Sequence, residues 1–282
     1  MRAAQFADGE FRVTEVADPP ALGPGQLRIA VAACGICGSD LSMSKDPCRF
    51  VAVAEKAGYP LAVFDHQRPV VLGHEYAGTV VDTGADVTDF AIGDRVAGIG
   101  VSTDTGTGVP TIIGYSNEYH GGFGEFIVVD AFWVRHVPDG LSLEHATLAE
   151  PLHVGEMHVQ QSGLTDADSA LVIGCGPIGL GAILAAKAHG ARTVIASEPS
   201  PARRALARAL GADVVVDPNE QDPPYGTRWP HPARGSSSPT NAAAVQAFST
   251  RYCTPCRSDP ESRSSRQASR RKPLSLWSAS FG

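Results

Sequence analysis

The chain has 282 residues, with 23 Lys and Arg against 30 Asp and Glu, a formal charge of −7, and 43% hydrophobic residues. That apolar content excludes a wholly disordered chain, and no apolar run reaches the ~18 residues of a membrane-spanning helix. The start, Met1 to Glu10, has neither a basic end nor an apolar signal core, so a cytoplasmic protein is expected, and the mild acidity gives no reason to expect nucleic acid or a membrane as partner.

Taken in chain order, residues 1–16 predict two short strands around Asp8-Gly9, a hairpin signal. Gln26 to Ala32 alternates Leu27, Ile29 and Val31. Val70-Val71-Leu72, Gly78 to Val81, Asp94 to Ala97 and Phe126 to Val129 add further short strands between Gly and Pro turns. This is the pattern of a β-rich, barrel-like domain reaching to about residue 150. The pattern then changes to a buried strand (Ala170 to Ile173), a helix from Pro177 to about His189, a strand (Thr193 to Ala196), a helix from Pro201 to Leu210 and a strand (Asp213 to Val216). Ser200 and Gly211 stand where an N-cap and a C-terminal glycine belong. Strand–helix–strand–helix–strand is half of a doubly wound parallel sheet.

Gly174-Cys175-Gly176-Pro177-Ile178-Gly179 fits G-x-G-x-x-G, and it follows an apolar strand and opens an apolar helix, the context that gives this motif weight. Gly174 permits the tight turn. Gly176 lets a pyrophosphate approach the backbone at the positive helix end, and Gly179 allows close packing. Glu198 ends the second strand, where a carboxylate accepts from ribose hydroxyls and repels a 2′-phosphate, favouring NAD over NADP. Arg203 and Arg204 pull the other way, since either could reach a phosphate.

Cys34-Gly35-Ile36-Cys37 is a C-x-x-C followed by Gly38-Ser39-Asp40; Gly73-His74-Glu75 and Glu150-Pro151-Leu152 come later. A catalytic zinc needs three protein ligands drawn from Cys, His and carboxylate. Cys37, His74 and an acid from Glu75 or Glu150 meet that need. Taken singly they are a buried thiol, a core histidine and a capping glutamate. It is their combination ahead of the dinucleotide turn that points to a metal.

Gly73-His74-Glu75 with Gly78, Gly84 and Val87, together with Cys37 to Asp40, Gly93-Asp94-Arg95-Val96, Gly121 to Phe126, Glu150-Pro151-Leu152 and the Gly174 turn, resembles the medium-chain zinc-dependent alcohol dehydrogenases, nearest to the sorbitol, butanediol and threonine dehydrogenase branch. The resemblance implies an α/β protein. Residues 1–155 would form a GroES-like catalytic zinc domain and residues 156–218 the first half of a Rossmann domain; residues 219–282 lie outside the resemblance, and their Ser/Pro/Arg-rich composition predicts a disordered tail. It further implies Cys37 and His74 as zinc ligands, with Glu75 and Glu150 interchangeable as the third. Ser39 would hydrogen-bond the substrate hydroxyl and pass its proton outward, and Asp40 would brace a ligand histidine. Gly174, Gly176, Pro177, Ile178, Gly179, Glu198 and Arg203 would hold NAD, and the substrate would be a small alcohol, diol or ketone.

Four departures qualify that expectation. Residues 97–125 hold no cysteine, so a structural zinc is not expected beside the catalytic one. Ser42 stands where many members have a relay histidine. Residues 45–68 look like an inserted surface loop carrying Cys48 and His66. Most importantly, Asp222 to Gly282 carries nine Lys and Arg against three Asp and Glu and is rich in Ser and Pro. That shift suggests a foreign reading frame or a truncated gene, with a real basic extension as the alternative, and Cys253-Thr254-Pro255-Cys256 reads as chance. The usual homo-oligomer edge would then be lacking and activity impaired. A non-catalytic remnant that binds zinc or nucleotide without turnover is the second reading, and nucleic-acid binding through the tail a weak third.

Overall fold

In the computed structural model, which describes residues 1–57 and 64–220 and a strand at 242–246, Asp8 and Gly9 take positive φ, 52° and 82°. They fold β1 (Arg2–Ala7) onto β2 (Glu10–Glu15). All described residues belong to one unit, Met1–Arg251. β3 (Gln26–Gly35) turns Leu27 and Ile29 into the core. Two helices follow, α1 (Gly38–Lys45) and α2 (Pro47–Ala57). β4 (Val70–Val71), β5 (Glu75–Thr83), β6 (Arg95–Gly98), β7 (Val101–Thr103), β8 (Pro110–Ile112), β9 (Phe126–Asp130) and β10 (Val134–His136) complete the strands of this part. They assemble as an antiparallel sheet β10-β6-β5-β3-β9, a smaller sheet β2-β1-β4 and the hairpin β7-β8. Leu27, Ile29, Val80, Val96, Ile127 and Val129 fill the larger sheet's core.

The inserted surface loop expected over 45–68 is corrected here. Most of its first half is α2, whose Val51 and Ala54, three residues apart on one face, pack with Phe6, Met43 and Tyr115. That i, i+3 spacing is what holds an amphipathic helix to a core.

The second part opens with α3 (Leu143–Ala146) and α4 (Ala149–Ser162). The strand reading places no helix over α4, because His153, Glu156 and His158 dilute its apolar positions. β11 (Ser169–Ile173), α5 (Pro177–Ala188), β12 (Thr193–Ser197), α6 (Pro201–Ala209) and β13 (Val214–Val216) then alternate as expected. Both α5 and α6 start with a proline, whose fixed φ suits the first helical turn. The parallel sheet runs β13-β12-β11-β14, with β14 (Ala242–Gln246) beside β11 in the register Ser169↔Ala242 to Ile173↔Gln246. No element is expected in this stretch from sequence, since Ala-Ala-Ala-Val is too short an apolar run to read. Of the expected tail, residues 221–241 and 247–282, Cys253 and Cys256 among them, lie outside the described residues.

α4 touches β5, β6 and α5. Its Gly155 lets α5 come so close that a Cβ there would fall 2.6 Å from the Ala182 nitrogen.

Candidate active site

The end of β3, the start of α1 and the start of β5 converge at one point. The antiparallel pairing sets Gly35 opposite Glu75, and a Cβ at Gly35 would collide with Glu75 Oε2, so the glycine is what lets this carboxylate lie across the strand. Cys37 caps α1, and Asp40 Oδ2 accepts the Cys37 N–H at 2.9 Å. Donor atoms of Cys37, His74 and Glu75 lie within 4.8 Å of one another. Asp40, almost fully buried, sits with Oδ1 3.7 Å from His74 Nδ1, which has no hydrogen-bond partner though it is buried.

Burial dominates the electrostatics of this cluster, since a desolvated charge is costly. It pushes the Cys37 thiol up to about 11, partly opposed by hydrogen bonds from Ser39. It lowers the His74 pKa despite the opposing charge of Asp40, so the ring is neutral near pH 7. It raises Glu75. Glu150, half-buried in the first turn of α4, is pushed up to about 7 by burial and then by the negative charges of Glu75 and Asp40.

At the carboxyl end of β11, Gly174 adopts φ +89°, the left-handed region that favours glycine. A Cβ at Gly179 would collide with the Gly174 carbonyl, whereas Gly176 faces open space. Glu198 closes this turn from the side. Its Oε2 accepts the Cys175 N–H at 2.7 Å and its Oε1 the Ser200 N–H at 2.9 Å. Arg204 is engaged by Asp217 at 2.8 Å and by the Glu198 and Pro199 carbonyls. Arg203 is exposed, and its charge reaches Cys175 in the turn.

Residues 23–139 match the family described as Alcohol dehydrogenase GroES-like domain, and residues 177–227 the one described as Zinc-binding dehydrogenase. The chain is 36% identical over 232 residues to (R,R)-butanediol dehydrogenase of Bacillus subtilis, covering 79% of this chain and 64% of that one. Among solved structures it resembles galactitol-1-phosphate dehydrogenase from Escherichia coli, with TM-score 0.62, 30% identity, and 79% and 62% of the two chains covered. It also resembles acetophenone reductase from Geotrichum candidum in complex with NAD, with TM-score 0.60, 25% identity, and 77% and 63% covered. The chain belongs to the medium-chain zinc-dependent alcohol dehydrogenase family. It spans under two thirds of the length of these family members.

The donor set of this family member fits zinc on its own chemistry. One sulfur, one neutral imidazole and one carboxylate are the ligand types zinc takes in open, three-ligand sites. A carboxylate facing the second nitrogen of the histidine is how such ligands are held in orientation. Of the two candidate acids, Glu75 lies in the cluster and Glu150 does not; Glu150 reaches it only through its charge. Cys48 and His66 are not part of the cluster. Two contributors escape a reading by motif: Gly35, already described, and Tyr115. Tyr115 Oη lies 2.7 Å from Ser39 Oγ and 3.2 Å from Asp40 Oδ1, and its ring centroid is 5.3 Å from that of His74. Gly114, at φ +83°, makes the turn that delivers Tyr115, the only local signal in the sequence.

Proposed function

We propose that this chain carries the catalytic centre of a zinc- and nicotinamide-dependent oxidoreductase that interconverts a small secondary alcohol or vicinal diol and its ketone. The observation that carries the reading is the meeting of Cys37, His74 and Glu75 beside Ser39 and Asp40, in a chain that also folds a dinucleotide turn. Zinc, when bound, supplies Lewis acidity that makes an alcohol hydroxyl easier to deprotonate.

Cys37, His74 and Glu75 would hold the ion, and Asp40 would keep the His74 ring aligned. Ser39 would take the hydrogen bond of the substrate hydroxyl. Glu150, protonated about half the time near pH 7, is suited to hold a proton or a water at the rim. The backbone of Gly174 to Gly179 and the start of α5 would receive the pyrophosphate, with Pro177 and Ile178 in that first turn. Glu198 spends one acceptor direction per oxygen on the backbone. A carboxylate has about four such directions, so the others can serve ribose hydroxyls. Its charge and the engagement of Arg204 favour NAD, with Arg203 beside the turn.

Zinc content and NADH formation from a panel of small diols, measured on the purified chain, test this. About one zinc per chain with NADH formation is the expected result. Zinc without turnover would leave only the remnant reading, and no zinc would remove the metal centre altogether.

A further inference from the structure

β12 and β13 end side by side. The Glu198 N–H donates to the Val216 carbonyl at 3.1 Å, so Glu198 and Asp217, each the residue just past its strand, are neighbours. Arg204 of α6 bridges them. Its Nη1 lies 2.8 Å from Asp217 Oδ2 and donates to the Glu198 and Pro199 carbonyls at 2.9 and 2.7 Å. The pair is largely withdrawn from water, with side chains 15% and 13% exposed. Asp217 is itself braced from its other oxygen, since Oδ1 accepts the backbone N–H and a side-chain N–H of Asn219, both at 2.9 Å.

The place of this ion pair matters for the ligand. A guanidinium fork matches a phosphate better than any other side chain does. Arg204 stands against the backbone of Glu198, the residue whose carboxylate would face the adenosine ribose. Its charge is nevertheless offset by Asp217, and one of its nitrogens is shared among three oxygens. Glu198 is a weak guard on its own, because the Cys175 and Ser200 N–H groups already offset part of its charge. A guanidinium released beside it would offset the rest. Neutralising Asp217 would leave the Arg204 charge uncompensated in a largely buried place, and a 2′-phosphate on the ribose is the anion that a dinucleotide would bring there.

We propose that Asp217 is a specificity-determining residue that acts through Arg204: by holding the guanidinium, it denies the site a partner for a ribose 2′-phosphate and so selects NAD over NADP. The inference rests on the reading of Gly174 to Gly179 and Glu198 as the dinucleotide site. It places the choice of cofactor at the end of β13, in a residue that does not itself meet the ligand.

The test titrates the full chain with ADP-ribose and with 2′-phospho-ADP-ribose by calorimetry. These probes carry the adenosine and pyrophosphate alone, so binding is read without turnover. Wild type should prefer ADP-ribose. Asp217→Asn keeps the shape of the side chain, and should bind 2′-phospho-ADP-ribose about tenfold more tightly than wild type, the scale of one hydrogen bond to a charged group. Its affinity for ADP-ribose should stay within about twofold of wild type, and in D217N/R204Q the gain should vanish, since the effect runs through Arg204. An unchanged preference in D217N, or a gain that survives in D217N/R204Q, would overturn the role of Asp217 while leaving the dinucleotide site standing. A wild-type chain that binds neither probe would overturn that site and this inference together. Equal thermal unfolding midpoints for wild type and D217N separate the effect from a loosened strand end. Should D217N not fold, Asp217→Ser, whose hydroxyl still accepts from Asn219, is judged by the same two outcomes.

Discussion

Cys37, His74 and Glu75 come together because an antiparallel pairing brings the end of β3 against the start of β5, so the ends of two strands and the start of α1 suffice. The turn at Gly174 to Gly179 is built differently. It lies at the carboxyl ends of parallel strands, where a ligand site is added to by each successive strand. The described part of that sheet has four strands, and Ile173, at the carboxyl end of β11, is 46% exposed, whereas Leu72 beside the metal cluster is 0% exposed. A site made by neighbours in an antiparallel sheet is complete as soon as those neighbours fold; a site along the edge of a parallel sheet is as complete as the sheet.

The sharpest way to break this contrast is to remove a donor. Cys37→Ser or His74→Ala should weaken zinc binding by more than about 100-fold, beyond what loss of a supporting group costs. NADH binding, followed by fluorescence, should stay unchanged. A parallel loss of nucleotide affinity would show that the two halves are not independent. On the other side, Gly179→Ala should destabilise the chain by about 1–3 kcal/mol, the cost of overpacking, since its Cβ meets the Gly174 carbonyl. Gly176→Ala should leave stability alone, because nothing lies near its Cβ, yet weaken NADH binding. Denaturant melts and NADH titrations of the two variants distinguish strain from ligand access.

Two smaller effects probe the metal side without touching the turn. The folded pKa of Glu150, about 7, stands above its ordinary value of 4.5. The unfolded chain therefore loses this proton first, and stability falls as pH rises from about 4.5 to 7. Glu150→Gln should remove that penalty and stabilise the metal-free chain by roughly 1–2 kcal/mol at pH 8, with no gain at pH 4. Equal gains at both pH values would refute the electrostatic cause. Finally, the Cys37 thiol at about 11 is protonated throughout the neutral range, while His74 is already neutral. Zinc must displace that one proton, so its affinity should rise about tenfold per pH unit between pH 6 and 8. A flat profile would mean that Cys37 is not a ligand.

Much of this was legible in the residues, for reasons that differ by element. Leu27, Ile29 and Val31 alternate and mark β3. Pro177 and Pro201 mark helix starts. His74 and Cys37 stand out only in combination with the acids and ahead of the dinucleotide turn, since each alone has a bland reading. α4 escaped because a helix lying between two parts of a molecule has no single apolar face to advertise. Glu75 and Glu150 could not be ranked, since both are acids at plausible distances in sequence; only the pairing of Gly35 with Glu75 separates them. Tyr115 escaped because an aromatic residue in a glycine turn carries no period, and its partners, Ser39 and Asp40, are more than seventy positions away.

α4 bears Glu150 in its first turn and Gly155 at its seam with α5, about 7.5 Å apart along the axis at 1.5 Å per residue. A helix this short is stiff, so it works as a connecting rod. The Glu150 carboxyl, which feels the charges of Glu75 and Asp40, and the seam with α5 are thus two points on one rod, about one and a half turns apart.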